Sequence, residues 1–235
     1  MNLILLLPED FIDQQHIRLQ GRRLEHVQNV HRGRVGQKFS VGLINGNIGR
    51  GTVIEVDKES LLMQVNFDQA PPAALPLTLL LALPRPKMLK RVLQTVSAMG
   101  VKKIILLNSY RVEKSYWQTP LLSPAAVKEQ LVLGLEQAKD TVMPEVSLQK
   151  RFKPFVEDEL PTLIKGRRAF VAHPRTAQVC PRQCEEDLVL AIGPEGGFID
   201  YEVDKLIATG FEAVHLGPRI LRVENAVPAL LSRLF

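Results

Sequence analysis

The sequence predicts a small β domain followed by an α/β domain, and three observations support this division. Residues 38–67 alternate short apolar strands with turns, and Asn45-Gly46 is a strong hairpin signal because it favours positive φ at both turn positions. Residues 69–76 (QAPPAALP) form a linker rich in proline and alanine. Beyond it, apolar strands alternate with amphipathic helices, which is typical of a mostly parallel sheet covered on both faces. We therefore predict domains at 1–70 and 75–235.

The first domain is predicted to be a small β-barrel or sandwich. Strands are expected at 38–43, 51–56 and 61–67, where apolar and polar residues alternate. Only residues 20–31 show a pattern compatible with a helix.

The second domain contains five predicted strands, at 77–83, 101–107, 168–172, 188–192 and 213–216. Residues 87–99 carry an apolar stripe at helical spacing, and another helix should begin at Ser123-Pro124, where serine caps and proline fits the first turn. Asp200 is predicted to cap a helix over 201–209 that ends at Gly210. The last helix should begin near Glu224, with Pro228 in its first turn.

Composition excludes several classes of protein. The chain has 235 residues, 46% of them hydrophobic, so it can bury a real core. Its longest apolar runs are too short to span a bilayer, and its N-terminus lacks the basic region of a signal peptide. Cys180 and Cys184 are the only cysteines, and such a pair without nearby histidine makes a poor zinc site. We expect reduced thiols, a cytoplasmic location and no metal.

Positive charge is concentrated in two segments, although the net charge is only +5. Residues 18–38 contain six lysines and arginines against one acid, and residues 85–103 contain six against none. Such clusters indicate a polyanionic partner such as nucleic acid. The alternative for each is an ordinary solvated surface.

No common hydrolase or dinucleotide-binding motif is present. The sequence lacks GxSxG, GxxxxGK[ST], GxGxxG and a metal-spaced histidine pair. His173 and His215 lie at predicted strand ends, where a surface or core histidine is the more common role than a catalytic one.

Two glycine-bearing loops follow predicted strands and precede predicted helices. The first is AIGPEGG at 191–197, and the second is LGPRILRVENA at 216–226. Glycine lets a backbone adopt positive φ and approach a ligand closely. Loops at the carboxyl ends of strands are where open α/β sheets bind small molecules. A tight turn without a ligand is the alternative for the first loop alone.

These two loops closely resemble those of the RsmE-like ribosomal RNA methyltransferases of the SPOUT superfamily, whose motifs are IGPEGG and LGxRILRxETA. Residues 26–36 (HVQNVHRGRVG) also resemble the family's pattern in its PUA-like barrel. The resemblance implies a PUA-like N-terminal barrel and a SPOUT-type α/β domain with a C-terminal trefoil knot. It also implies S-adenosylmethionine as cofactor and methyl transfer to N3 of a uridine in small-subunit (16S) ribosomal RNA.

The resemblance assigns roles to individual residues. The cofactor-binding residues would be Ile192, Gly193, Pro194, Glu195, Gly196, Gly197, Leu216, Gly217, Ile220, Leu221, Asn225 and Ala226. Because N3 of uracil carries a proton, catalysis needs a base or a cation that stabilises the anion. Arg219 and Arg222 are the candidate cations and Glu224 the candidate base, with helix capping as the alternative for Glu224. The basic segments supply RNA-binding candidates, namely Arg22, Arg23, Arg32, Arg34, Arg85, Lys87 and Lys90.

The chain departs from the family pattern at Ala98, at 136–144 and at Asn225, which stands where threonine is usual. Two other functions therefore remain open: a non-catalytic RNA-binding or ribosome assembly factor, and a methyltransferase for a different RNA such as transfer RNA. The resemblance also implies a homodimer. The apolar last helix, with Leu230, Leu231 and Leu234, would either contribute to that interface or complete the core of one subunit.

Overall fold

The structure is a computed structural model that describes residues 2–31 and 33–235. The chain divides into two compact units. The first unit consists of Met1–Ala73 and Leu131–Met143, and the second consists of Ala74–Gln130 and Pro144–Phe235.

The first unit is built on a five-stranded sheet. Its strands are β1 (Ile4–Leu6), β2 (His16–Leu19), β3 (Lys38–Leu43), β4 (Ile48–Val56) and β5 (Leu61–Gln69), with helix α1 at Gly21–His31. The strand order is β1-β3-β4-β5-β2, and only the β1–β3 pair is parallel. The core contains fully buried side chains such as Leu6, Ile17 and Met63. β1 and β2 are the two edge strands of this sheet. The PUA-like character of the sheet stays a prediction.

The three strands expected in the first unit are confirmed, with β4 beginning three residues early, at Ile48. Strands β1 and β2 were not predicted. The expectation for the hairpin turn is wrong in one respect, because Asn45 alone has positive φ, at 57°. The amide of Gly46 bonds to the carbonyl of Leu43 over 2.8 Å, so Asn45 occupies the third position of a four-residue turn.

The second unit is built on a six-stranded, fully parallel sheet. Its strands are β6 (Leu77–Ala82), β7 (Lys103–Leu107), β8 (Glu145–Gln149), β9 (Arg168–Ala172), β10 (Leu188–Ile192) and β11 (Glu212–Val214). The order is β11-β9-β10-β6-β7-β8. β8 was not predicted, because its residues lack an apolar run and most of them are exposed.

The helices of this region mostly follow the predicted pattern. They are α2 (Pro86–Ala98), α3 (Pro124–Ala138), α4 (Phe152–Pro154), a π-helical turn (Phe155–Glu159), α5 (Leu160–Leu163), α6 (Asp200–Thr209) and α7 (Val223–Leu234), with 3₁₀ turns at Lys114–Gln118 and Pro120–Leu122. A further 3₁₀ turn, at Pro8–Asp10, lies in the first unit. The last two turns of α3 belong to the first unit. No helix among the described residues is long and apolar enough to cross a membrane.

The predicted helix ends are partly confirmed. The hydroxyl of Ser123 accepts the amide of Ala126 over 3.3 Å, so Ser123 caps α3, and Gly210 ends α6 with a φ of 118°. Asp200 does not cap α6; it is the first helical residue, and the cap position is Ile199. Pro228 is not in the first turn of α7 but is its sixth residue, because the helix begins at Val223. It therefore removes one helical hydrogen bond.

The last helix completes the core of the second unit. Val227, Leu230, Leu231 and Leu234 are at most 1% exposed, and α7 packs against α2. The interpretation that these leucines form a surface for a second subunit is therefore wrong, since the subunit buries them itself.

Candidate functional site

The site lies where three neighbouring strands of the parallel sheet end. β10, β9 and β11 run side by side in one direction, so the loops that follow them meet at the carboxyl edge of the sheet. A cavity of about 380 Å³ opens there, a size typical of small-molecule sites. It is lined by residues 172–175 at the end of β9, by 192–198 and Asp200 at the end of β10, and by 214–217 and 219–221 at the end of β11, together with Val223, Ala226 and Leu230 of α7. This is the edge at which open α/β sheets hold ligands.

The loop after β10 requires glycine at two positions. A Cβ atom on Gly193 would lie 2.7 Å from the backbone nitrogen of Phe198, so no side chain fits there. Gly197 has a φ of 72°, and its amide bonds to the carbonyl of Pro194 over 2.7 Å. The loop thus folds tightly upon itself and presents backbone to the cavity.

The loop after β11 provides an apolar wall with one position that favours glycine. Gly217 has a φ of 124°, and its amide donates to Nδ1 of His215 over 2.9 Å. Leu216, Ile220 and Leu221 line the cavity beside it, and Ile220 is 82% exposed. An apolar wall bordered by backbone donors and acceptors suits a flat heteroaromatic group.

Glu195 joins the glycine loop to the start of helix α2. Its Oε1 accepts the amide of Arg85, the cap residue of α2, over 2.9 Å. A carboxylate at a helix N-terminus is also stabilised by the helix dipole. The single charge of the GPEGG segment therefore fixes the loop.

Arg111, which sequence reasoning missed, reaches the same cavity from the loop after β7. Its Nη1 donates to the carbonyl of Gly196, and its side chain would be 2.9 Å from a Cβ added to Gly196. An arginine in the middle of a polar segment carries no periodic or motif signal, so only the strand order reveals its position.

Most of the predicted cofactor residues line this cavity. They are Ile192, Gly193, Pro194, Glu195, Gly196, Gly197, Leu216, Gly217, Ile220, Leu221 and Ala226. Asn225 is exposed and does not line it. The two loops, which are separated by 18 residues in sequence, are thus brought together.

The three predicted catalytic residues are not brought together in this way. Arg219 is exposed and lines the cavity. Arg222 is the cap residue of α7, and Glu224 lies in the first turn of that helix, but neither lines the cavity. Glu224 therefore lies where an acidic side chain stabilises a helix.

Two histidines line the cavity although the sequence favoured ordinary surface or core roles for them. Nδ1 of His173 accepts the amide of Arg175 over 3.3 Å, and Nδ1 of His215 accepts the amide of Gly217. With Nδ1 as acceptor, the neutral ring carries its proton on Nε2 and offers a donor. Their position directly after β9 and β11 was the signal in the sequence that could have placed them at the cavity.

In the first unit, two of the predicted RNA-binding arginines have internal partners. Arg23 forms two 2.5 Å bonds to the buried carboxylate of Asp10, and Arg22 donates to Glu136 over 2.8 Å. Burial raises the pKa of Glu136, and the neighbouring Arg22 opposes that rise. These contacts give both arginines a structural role that the sequence did not predict. Arg34 is exposed, and Arg32 lies outside the described residues.

The second basic segment lies at both edges of the parallel sheet. Arg85 and Lys87 follow β6 at the carboxyl edge, and Lys90 is exposed one turn further along α2. Lys103 begins β7 and pairs with Thr78 at the start of β6, so it lies at the amino edge. A run of cations that is continuous in sequence is therefore divided by the fold.

The described residues contain no cluster of histidine, cysteine and acidic side chains that could hold a metal ion. Cys180 and Cys184 are buried free thiols. Burial raises the pKa of Cys180 to about 11 and also raises the pKa of Cys184.

Comparison with known proteins identifies the family. The sequence model of the RNA methyltransferase domain matches residues 71–235. The ribosomal RNA small subunit methyltransferase E of Treponema pallidum is 28% identical over 97% of this chain and 88% of its own length, and that of Synechocystis sp. is 26% identical over 98% and 76%.

Solved structures share the fold. A methyltransferase from Legionella pneumophila with bound S-adenosylmethionine has a TM-score of 0.76 at 23% identity, covering 98% of this chain and 95% of that one. A ribosomal RNA small subunit methyltransferase E from Neisseria gonorrhoeae, bound to S-adenosylmethionine, has a TM-score of 0.75 at 22% identity, covering 99% and 95%. The family predicted from the two glycine-bearing loops is confirmed: this chain belongs to the RNA methyltransferase domain family.

Proposed function

We propose that this protein transfers the methyl group of S-adenosylmethionine to N3 of a uridine in small-subunit (16S) ribosomal RNA. The observation that carries the proposal is the meeting of the two glycine-bearing loops in one cavity at the carboxyl edge of the sheet. Family membership supports the reaction class, and the relatives named above support the RNA and the cofactor.

The residues of the cavity fit this cofactor. Gly193 and Gly217 leave the backbone close to any bound molecule, and a side chain at Gly193 would collide with the chain itself. Ile192, Leu216 and Leu221 supply an apolar slot for adenine. The cofactor brings the reactive methyl group, so the chain has to hold it and orient the target base.

Methylation at N3 requires the base to be unpaired and its N3 proton to leave. N3 is hydrogen-bonded in a duplex, so the uridine reacts from a single-stranded or extruded position. As negative charge develops on the uracil ring, Arg219 at the cavity is the cation placed to stabilise it. His173 and His215, with Nε2 protonated, serve as hydrogen-bond donors in the same cavity.

The cations proposed to contact RNA phosphates are Arg34, Arg85, Lys87 and Lys90, all exposed. We further propose that the first unit has the PUA-like character of the family and that the loops at the cavity form the trefoil knot. Both loops line one cavity, and the second of them leads into α7, which supports the second point. Because ribosomal RNA is the substrate, we place the protein in the cytoplasm.

A homodimer is also part of the proposal, on the resemblance to the family. The exposed apolar side chains nearest the cavity, Ile220 and Leu221, are 82% and 40% exposed and would be shielded by a second subunit. Sedimentation at micromolar concentration should show a species of twice 26.3 kDa. A single 26.3 kDa species would contradict the dimer.

The function is tested by nucleoside analysis of RNA from a deletion strain. N3-methyluridine should disappear from small-subunit ribosomal RNA and return when the gene is restored. Its loss from transfer RNA instead would indicate a different RNA substrate. Unchanged methylation in all RNA, with a defect in ribosome assembly, would support a non-catalytic factor.

A further inference from the structure

One buried carboxylate in the second unit binds two loops that the proposed reaction does not otherwise connect. Glu202 lies in the first turn of α6 and is 3% exposed. Its Oε1 accepts the amide of Tyr110 over 2.7 Å, and its Oε2 accepts the amide of Ile199 over 3.1 Å. Ile199 ends the glycine loop after β10, and Tyr110 lies in the loop after β7.

The loop that contains Tyr110 is already fixed on both sides of it. The amide of Asn108 donates to the carbonyl of Gln149 over 2.8 Å, and the amide of Val112 donates to the carbonyl of Ser109 over 3.0 Å. The bond to Glu202 holds the middle of this turn. The next residue, Arg111, then reaches the carbonyl of Gly196.

Glu202 and Arg111 therefore close a ring of contacts around the glycine loop. Glu202 holds the end of that loop at Ile199, Arg111 holds its middle at Gly196, and the chain joins Arg111 to Tyr110. The two backbone donors bond to different oxygens of the Glu202 side chain, and a side-chain amide has only one oxygen. A buried acceptor of this kind is costly to replace, because an amide group would leave a backbone N–H unpaired.

We propose that Glu202 is a positioning residue for cofactor binding. It does not line the cavity. It sets the distance between the loop after β7 and the glycine loop, and so fixes Arg111 against Gly196 at the cavity. The proposal rests on the proposed function, since it concerns the loops that would hold S-adenosylmethionine.

The test compares Glu202→Gln with Arg111→Ala by calorimetric titration of the full chain with S-adenosylmethionine. Each substitution should weaken binding at least tenfold. Because both substitutions act on the same contact, their effects should not add. The affinity of the double variant should be at most twofold lower than that of the single variant with the lower affinity. In a methyl-transfer assay, Glu202→Gln should raise KM for the cofactor and leave kcat at saturating cofactor unchanged.

Glu136→Gln is the matched control, because it makes the same change at a carboxylate that is 1% exposed in the first unit. Its affinity for the cofactor should stay within twofold of the wild type. The proposal is overturned if Glu202→Gln binds S-adenosylmethionine as the wild type does, or if the effects of Glu202→Gln and Arg111→Ala multiply independently.

Hydrogen exchange decides the outcome if Glu202→Gln does not fold. In the cofactor-free wild type, the amides of Tyr110 and Ile199 should exchange slowly, and cofactor should slow both together. Rapid exchange of either amide would refute the contact. If the wild type itself binds no S-adenosylmethionine while both amides are protected, the proposed function fails and the ring of contacts stands.

Discussion

The first unit holds nine lysines and arginines against ten acidic residues, whereas the second holds 21 against 15. The positive charge of the chain therefore belongs to the unit that contains the cavity. In the first unit, Arg22 and Arg23 neutralise buried carboxylates. Around the cavity, no ion pair within the described residues engages Arg111, Arg175 or Arg219.

This difference shows that a cluster of cations in sequence is not the same as a cationic surface. Positive charge attracts an RNA backbone only where the fold leaves it uncompensated. We infer that the second unit supplies most of the electrostatic attraction for RNA, close to the cavity, and that Arg22 and Arg23 of the first unit mainly stabilise its fold.

The largest effect is expected from a glycine at the cavity. Gly217→Val should reduce the affinity for S-adenosylmethionine more than a thousandfold, or about 4 kcal/mol, because a branched side chain enters the cavity and disfavours positive φ. Calorimetry measures this loss.

Gly166→Val is its control within the same unit. Gly166 also has positive φ, at 74°, and like Gly217 has open space around its Cβ position, but it does not line the cavity. The substitution Gly166→Val should strain the backbone and leave the affinity for S-adenosylmethionine unchanged. Wild-type affinity in Gly217→Val would remove the second loop from the site.

A smaller effect, on stability, is expected in the first unit. Arg23→Ala leaves the carboxylate of Asp10 buried without its partner and should lower the free energy of unfolding by about 3 kcal/mol. Chemical denaturation measures the change. Arg34→Ala, at an exposed arginine, is the comparison and should change it by less than about 0.5 kcal/mol. If both substitutions lowered the free energy of unfolding equally, the contact of Arg23 with Asp10 would not stabilise the fold.

The smallest effect concerns pH and a thiol of the second unit. The pKa of Cys180 is raised from 9.0 to about 11 in the folded chain by burial. As pH rises, the thiol of the unfolded chain loses its proton first, which favours unfolding. The free energy of unfolding should therefore fall between pH 9 and pH 11, by on the order of 2 kcal/mol. Cys180→Ala should show a shallower loss of stability over that interval. Parallel pH profiles for the two proteins would refute the burial effect.

Sequence reasoning located the parallel sheet and the two glycine-bearing loops because their signals are local. Apolar runs mark β6, β9 and β10, and glycines mark the turns that follow. β8 has no such run, since its residues are mostly exposed, and it is defined by pairing with β7. Residues 131–143 likewise belong to the first unit because of long-range contacts, which no local sequence pattern encodes.

The parts of the site that were missed depend on strand order. Arg111 reaches the glycine loop from 85 residues away, and the carboxylate of Glu202 reaches Tyr110 from 92. Pairing of Arg23 with Asp10 similarly gives a structural role to a residue that the sequence marked only as an RNA contact. Such partners become known only when the fold brings distant segments together.

The most direct test of this account is the salt dependence of RNA binding by matched double variants of the full chain. In Lys87→Gln/Lys90→Gln, the slope of log affinity against log salt should fall in magnitude by roughly 1.4 to 1.8 if each lysine neutralises one phosphate. In Arg22→Gln/Arg23→Gln, measured below its melting temperature, the slope should match that of the wild type. An unchanged slope in the first variant and a reduced slope in the second would contradict the account.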